Sequence, residues 1–123
     1  MSHFTKVKTT FTDGVALKRA LVACGHKILG GRAVAGWLGK TVDAEFKIKA
    51  PSGGSYEIGF VKRGNRYELV SDWSMNGVNQ AKFIAGLNRA YGREVVVAKL
   101  EDQGFVIEKE IDRNDEIRLV MRR

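Results

Sequence analysis

The 123-residue chain has one cysteine, one proline and two histidines. A lone Cys24 excludes an intramolecular disulfide framework, so packing alone must hold the fold, and a reducing, cytoplasmic compartment is expected. Structural zinc takes four ligands, mostly Cys and His. His3, His26 and Cys24 leave that shell incomplete, so no metal and no cofactor is expected. Long hydrophobic runs are also missing. A stretch such as Val95-Val96-Val97-Ala98 falls far short of the ~18 apolar residues that span a bilayer. Met1–Lys8 lacks the apolar core of a secretory signal. Neither a membrane span nor secretion is expected.

What the chain has is enough apolar material for one core. Hydrophobic residues make up 44% and aromatics 9%, which argues against disorder and for one domain over residues 1–123. Lys and Arg number 21 against 14 Asp and Glu, a formal charge of +7. That excess points toward an acidic partner: nucleic acid, an anionic membrane surface or an acidic protein.

The hydrophobic periods divide the chain into helices and strands. Residues 3–11 alternate, with Val7 and Phe11 in one phase and Lys6 and Lys8 in the other. Asp13 is placed to cap a helix, because its carboxylate can accept the free N–H groups of a first turn. Leu17, Ala20, Leu21 and Cys24 follow as one apolar stripe, which casts Cys24 as a small buried hydrophobe. Gly25 ends that helix. The glycine-rich stretch 25–41 reads as a short strand near 27–29 and then a loop or brief helix. Ala44–Ala50, Tyr56–Phe60 and Tyr67–Leu69 alternate with period two and are joined by turns at 51–54 and 63–65, an antiparallel meander. Phe83, Ile84, Leu87, Ala90 and Tyr91 mark a helix over 78–91. Residues 93–103 read as a third helix, weakened by three consecutive valines. Phe105–Ile111 and Ile117–Met121 form a last pair of strands. The fold class expected is α+β, a mostly antiparallel sheet with two or three helices packed on one face. Its predicted core comprises Leu17, Leu21, Phe46, Ile48, Ile58, Phe60, Leu69, Phe83, Leu87, Leu119 and Met121.

Motifs of catalysis are weak. Gly39-Lys40-Thr41 resembles the end of a phosphate-binding loop, but that loop needs a glycine where this chain has Val34. The pairs Asp43/Glu45, Glu101/Asp102 and Glu108/Glu110 fit solvated charged faces, and no catalytic residue is assigned.

Charge distribution is more informative. Residues 1–66 carry 12 basic and 4 acidic side chains, a net +8, whereas residues 67–123 carry 9 and 10. Lys6, Lys8, Lys47, Lys49, Lys62, Arg63 and Arg66 fall on strand outer positions or turns. They are the candidate binding face, with Lys47, Lys49, Lys62 and Arg63 expected to form one contiguous positive surface. The plainer alternative is that strand lysines only block edge-to-edge aggregation. Phe4 shares the phase of Lys6 and Lys8 and is the one aromatic placed to stack on a base. Trp37 and Trp73 are candidate interface anchors, since tryptophan is enriched at binding hot spots.

Several blocks carry a family resemblance: Met1-Ser2-His3-Phe4, Ile58-Gly59-Phe60, Tyr67-Glu68-Leu69-Val70-Ser71-Asp72, Tyr91, Gln103-Gly104-Phe105 and Ile117-Arg118-Leu119-Val120. In this order they resemble the hypothetical chloroplast reading frame thirty-five family of cyanobacteria and red-algal plastids. That family is a domain of unknown function, so the resemblance implies no catalytic residues. The leading functional expectation is a small non-catalytic accessory or adaptor protein that binds an acidic protein partner. A nucleic-acid-binding protein using the basic face of residues 1–66 is the alternative, and an enzyme of unknown reaction comes third.

Overall fold

The computed structural model describes residues 4–36, 39–113 and 116–123. The elements run in the order β1 (Thr5–Lys8), α1 (Gly14–Ala23), β2 (Ile28–Leu29), β3 (Ala33–Ala35), β4 (Thr41–Asp43), β5 (Phe46–Lys49), β6 (Glu57–Arg63), β7 (Arg66–Ser71), α2 (Gln80–Asp102), β8 (Val106–Arg113) and β9 (Glu116–Arg122). This is the expected α+β class, with two helices.

The alternation of apolar residues sets the sheet. β5, β6 and β7 pair as the antiparallel meander, and β1 and β2 add at its two edges in the order β1-β7-β6-β5-β2. Cross-strand register aligns side chains of one face into rows. One row runs Phe46–Phe60–Leu69–Val7 and another Ile28–Ile48–Ile58. Against these rows α1 sets Leu17, Ala20 and Leu21 and α2 sets Leu87, all in one buried cluster. The two helices therefore cover a single face of the sheet.

Local chemistry starts and ties the helices. Asp13 caps α1 as expected, its Oδ1 accepting from the N–H groups of Val15 at 3.0 Å and Ala16 at 3.1 Å. The Tyr91 hydroxyl on α2 accepts from the N–H groups of Thr12 and Asp13 just ahead of α1. Asn79 caps α2 by accepting from the Lys82 N–H.

Four expectations change. The predicted second and third helices are one, α2, which runs through Gly92 and the three valines. Val97 is buried there, so packing outweighs the small rotamer cost of β-branched residues. The stretch after β2 forms a hairpin, β3 paired with β4, in place of a loop or brief helix. Cys24 is exposed, because α1 ends at Ala23 and the stripe of Leu17 and Leu21 stops before it. Phe83, Leu119 and Met121 are half-buried at the margins, whereas the other eight predicted core residues are buried.

β8 and β9 form a separate two-stranded sheet. It is fastened to α2 by Arg93, whose guanidinium donates to both carboxylate oxygens of Glu110, at 2.6 and 3.0 Å. Arg89 forms an ion pair with Asp112 beside it. The fork of Arg93 holds the Glu110 carboxyl below its usual range, because hydrogen bonding favours the charged form.

Candidate partner-binding face

The sheet surface away from the helices carries the residues of the opposite phase. Register places Lys6 beside Val70, Lys8 beside Glu68, Arg63 beside Arg66, Lys47 beside Gly59 and Lys49 beside Glu57. Six of the seven basic candidates therefore share this face. Lys62 does not. Counting by two from Ile58 through Phe60 carries it to the helix side, where it pairs with Tyr67 and holds its ammonium 5.9 Å from that ring. The expectation of one surface made by Lys47, Lys49, Lys62 and Arg63 is corrected on that ground.

The β3–β4 hairpin covers part of the face. Val34 on β3 is buried against Gly59, where a Cβ would collide with it and lie 2.9 Å from the Ala44 Cβ. Glu57 anchors the hairpin: its Oε1 accepts from the Ala35 N–H at 2.7 Å and from Lys47 Nζ at 3.1 Å. Lys47 also donates to the Ala33 carbonyl at 2.6 Å, and its side chain is only 13% exposed. Lys47 is thus a strut inside the fold and is withdrawn from any partner. Arg63 Nε lies 3.4 Å from Glu68 Oε1, with the guanidinium exposed and the carboxylate side chain largely covered.

Two exposed sets of cations remain on this face, Lys49 on β5 and a corner at the β1 edge. Lys6, Lys8 and Arg66 are exposed on the outer phase of the edge strand and its neighbour, with no carboxylate within 4 Å among the described residues. Phe4 is not available beside them, because its ring packs on Gly36 after β3, with the ring Cζ 2.6 Å from where a Cβ would stand. Trp73 is half-buried against the core, 6.4 Å from the Phe83 ring. Its Nε1–H is buried without an acceptor among the described residues. Trp37 and His3 lie outside the described residues.

Cys24 and His26 meet at the far end of α1 and share one groove wall, with His26 edge-on to Phe83 at 5.6 Å. Among the described residues no three His, Cys, Asp or Glu side chains converge as metal ligands. Partial desolvation against the groove wall pushes the thiol of the otherwise exposed Cys24 up and holds the half-buried His26 imidazole below its ordinary 6.5. The unfolded chain therefore binds a proton at His26 more readily than the fold does, so this contribution to stability is complete above pH 6.5. It is lost as pH falls from there through the folded pKa. The urea midpoint of the native protein should drop between pH 7.5 and 5.5, and His26→Gln should flatten that slope. An unchanged slope in the variant would assign the dependence to other groups.

The mid-helix Gly86 on α2, which lines the same groove, is the signal for this concavity in the sequence. Its meaning depends on which helix face it occupies. No helix among the described residues is long and apolar enough to cross a membrane.

Residues 20–120 match a family described as "Protein of unknown function (DUF1257)". Full-length relatives, each described as an uncharacterized protein ycf35, include one from Cyanophora paradoxa, 30% identical over 128 residues. That alignment covers 100% of this chain and 98% of the relative. Those of Guillardia theta and Pyropia yezoensis are also 30% identical, with the same coverage. No solved structure matches the chain.

Proposed function

The chain belongs to the DUF1257 family and is similar over its whole length to the ycf35 proteins, and we propose that it is a non-catalytic adaptor that binds an acidic protein partner. The observation that carries the reading is the exposed corner of Lys6, Lys8 and Arg66, with no carboxylate within 4 Å among the described residues, at the β1 edge of the sheet. Exposed cations on a rigid sheet raise the encounter rate with an acidic surface and select it by charge. An acidic protein is favoured over nucleic acid because Glu57 and Glu68 interrupt the cationic track and Phe4 is spent on Gly36. A strand-binding groove combines a continuous positive path with free aromatic faces.

The test replaces Lys6, Lys8 and Arg66 together by Glu. Binding of a glutamate-rich peptide and of duplex DNA is followed by fluorescence anisotropy at several salt concentrations. The native protein should bind the peptide with a fixed stoichiometry and release it as salt rises. The triple variant should fold normally and lose at least about tenfold in affinity. Tighter binding of the DNA, with a slope of log affinity on log salt of roughly −0.9 per phosphate, would install the nucleic-acid reading instead. Unchanged affinity in the variant would reduce the corner to a guard against edge pairing.

A further inference from the structure

On the other side of the molecule, a groove of about 440 Å³ opens between the end of α1, the turn at Pro51 and Ser52, and the first turns of α2. Its apolar floor includes Val78, Phe83 and Leu87, with Leu87 belonging to the core. Small-molecule sites are concavities of roughly 300–1,000 Å³, mostly apolar, with a few fixed polar groups. Here those groups include His26 and Lys82. Lys82 is exposed and has no carboxylate within 4 Å among the described residues, so the groove has one cationic side.

Two independent features mark the groove as built. The first is its wall. Asn76 is buried and donates from Nδ2 to Ser71 Oγ at 2.9 Å, while its Oδ1 accepts from the Val78 N–H at 3.0 Å. Its carbonyl accepts from the Ser52 hydroxyl. One buried asparagine thus ties the strand end and the loop carrying Val78 through its side-chain amide, and the turn carrying Ser52 through its backbone carbonyl, so the walls are positioned before any ligand arrives. The second is Gly86. It lies in the interior of α2, where glycine is among the least favourable residues. A Cβ on Gly86 would meet nothing within 4 Å. The chain's own packing therefore has no need of a glycine there. What the missing side chain does is leave the groove open beside Phe83 and Leu87.

We infer that this groove binds a small amphipathic anion, an apolar body carrying one carboxylate, with the body over Phe83 and Gly86 and the carboxylate at Lys82. The charge of Lys82 selects the anion and the apolar floor supplies the contact area. The His26 ring closes one wall by its edge contact with Phe83. This site is separate from the cationic corner of the sheet, and the two readings stand or fall independently.

Decanoate, kept below its micelle concentration, is the probe. Binding to the full chain is measured by calorimetry and by the rate at which a thiol reagent modifies Cys24. That residue is the chain's one cysteine, exposed on the groove wall. One decanoate per chain should bind and slow the modification. Lys82→Ala should weaken binding at least about tenfold, and Lys82→Arg should restore most of it. Decyltrimethylammonium, with the same chain and the opposite charge, should bind at least about tenfold more weakly than decanoate. Gly86→Leu should fold and lose binding, while Gly86→Ala should raise the melting temperature because alanine favours the helix. Absence of saturable binding would overturn the inference. So would equal affinity for the cationic probe, or a folded Gly86→Leu variant that binds as the native chain does.

Discussion

Replacing Phe60 by alanine is expected to cost about 3–5 kcal/mol of folding stability, the range for truncating a fully buried aromatic. Phe60 has no exposed surface and sits at the centre of the row Phe46–Phe60–Leu69–Val7. Its ring stacks on Phe46 at 4.9 Å, nearly parallel. Truncation would empty the space between α1 and three strands at once, and the two β-strand neighbours cannot close it without losing register. A domain of this size has a total stability of roughly 5–15 kcal/mol, so the variant would stand near the threshold of unfolding. Urea denaturation should show a large fall in midpoint with an unchanged slope. A loss below about 1 kcal/mol would mean that the row is not the structural centre.

The second large effect is expected from Gly59→Val, at about 1–3 kcal/mol or more. Gly59 is not one of the glycines with positive φ, so backbone geometry would tolerate a side chain. The obstacle is contact. Val34 and Ala44 already occupy the space where the new atoms would go. Relief requires the β3–β4 hairpin to lift from the sheet, which also breaks the Glu57 bond to Ala35 and exposes Lys47. Amide exchange should therefore accelerate at Ala35 well before it does in β6 or β7. Retention of native protection in β3 would refute the role assigned to this close approach.

These two sites show how much could be read from the chain alone. The meander was legible because Phe46, Ile48, Ile58, Phe60 and Leu69 alternate without interruption, and period two on a pleated strand fixes which face each residue takes. The same count sends Lys62 to the helix side with Ile58 and Phe60, so its place is legible in the alternation too. Cys24 illustrates a limit. Its spacing from Leu17 continues the stripe, but spacing does not say where the helix stops, and α1 stops one residue earlier. The fate of Lys47 was not legible at all. It depends on a hairpin, hidden among glycines, folding across the sheet to bring the Ala33 carbonyl to its ammonium. The groove fails for the same reason, since its walls come from segments that only the fold assembles.

The position of β1 has a consequence for the order in which the molecule is made. Thr5 pairs with Ser71, more than sixty residues later in the chain, whereas β5 pairs with β6 and β6 with β7, each its immediate successor. On a ribosome adding about 5–20 residues per second, β1 waits roughly 3–13 s for its partner to be synthesised. Through that interval its backbone donors and acceptors are open to any other nascent strand. Lys6 and Lys8, alternating along four residues, place repelling charges where a foreign strand would have to pair. The strand of this sheet made earliest is thus the one whose partner is made last.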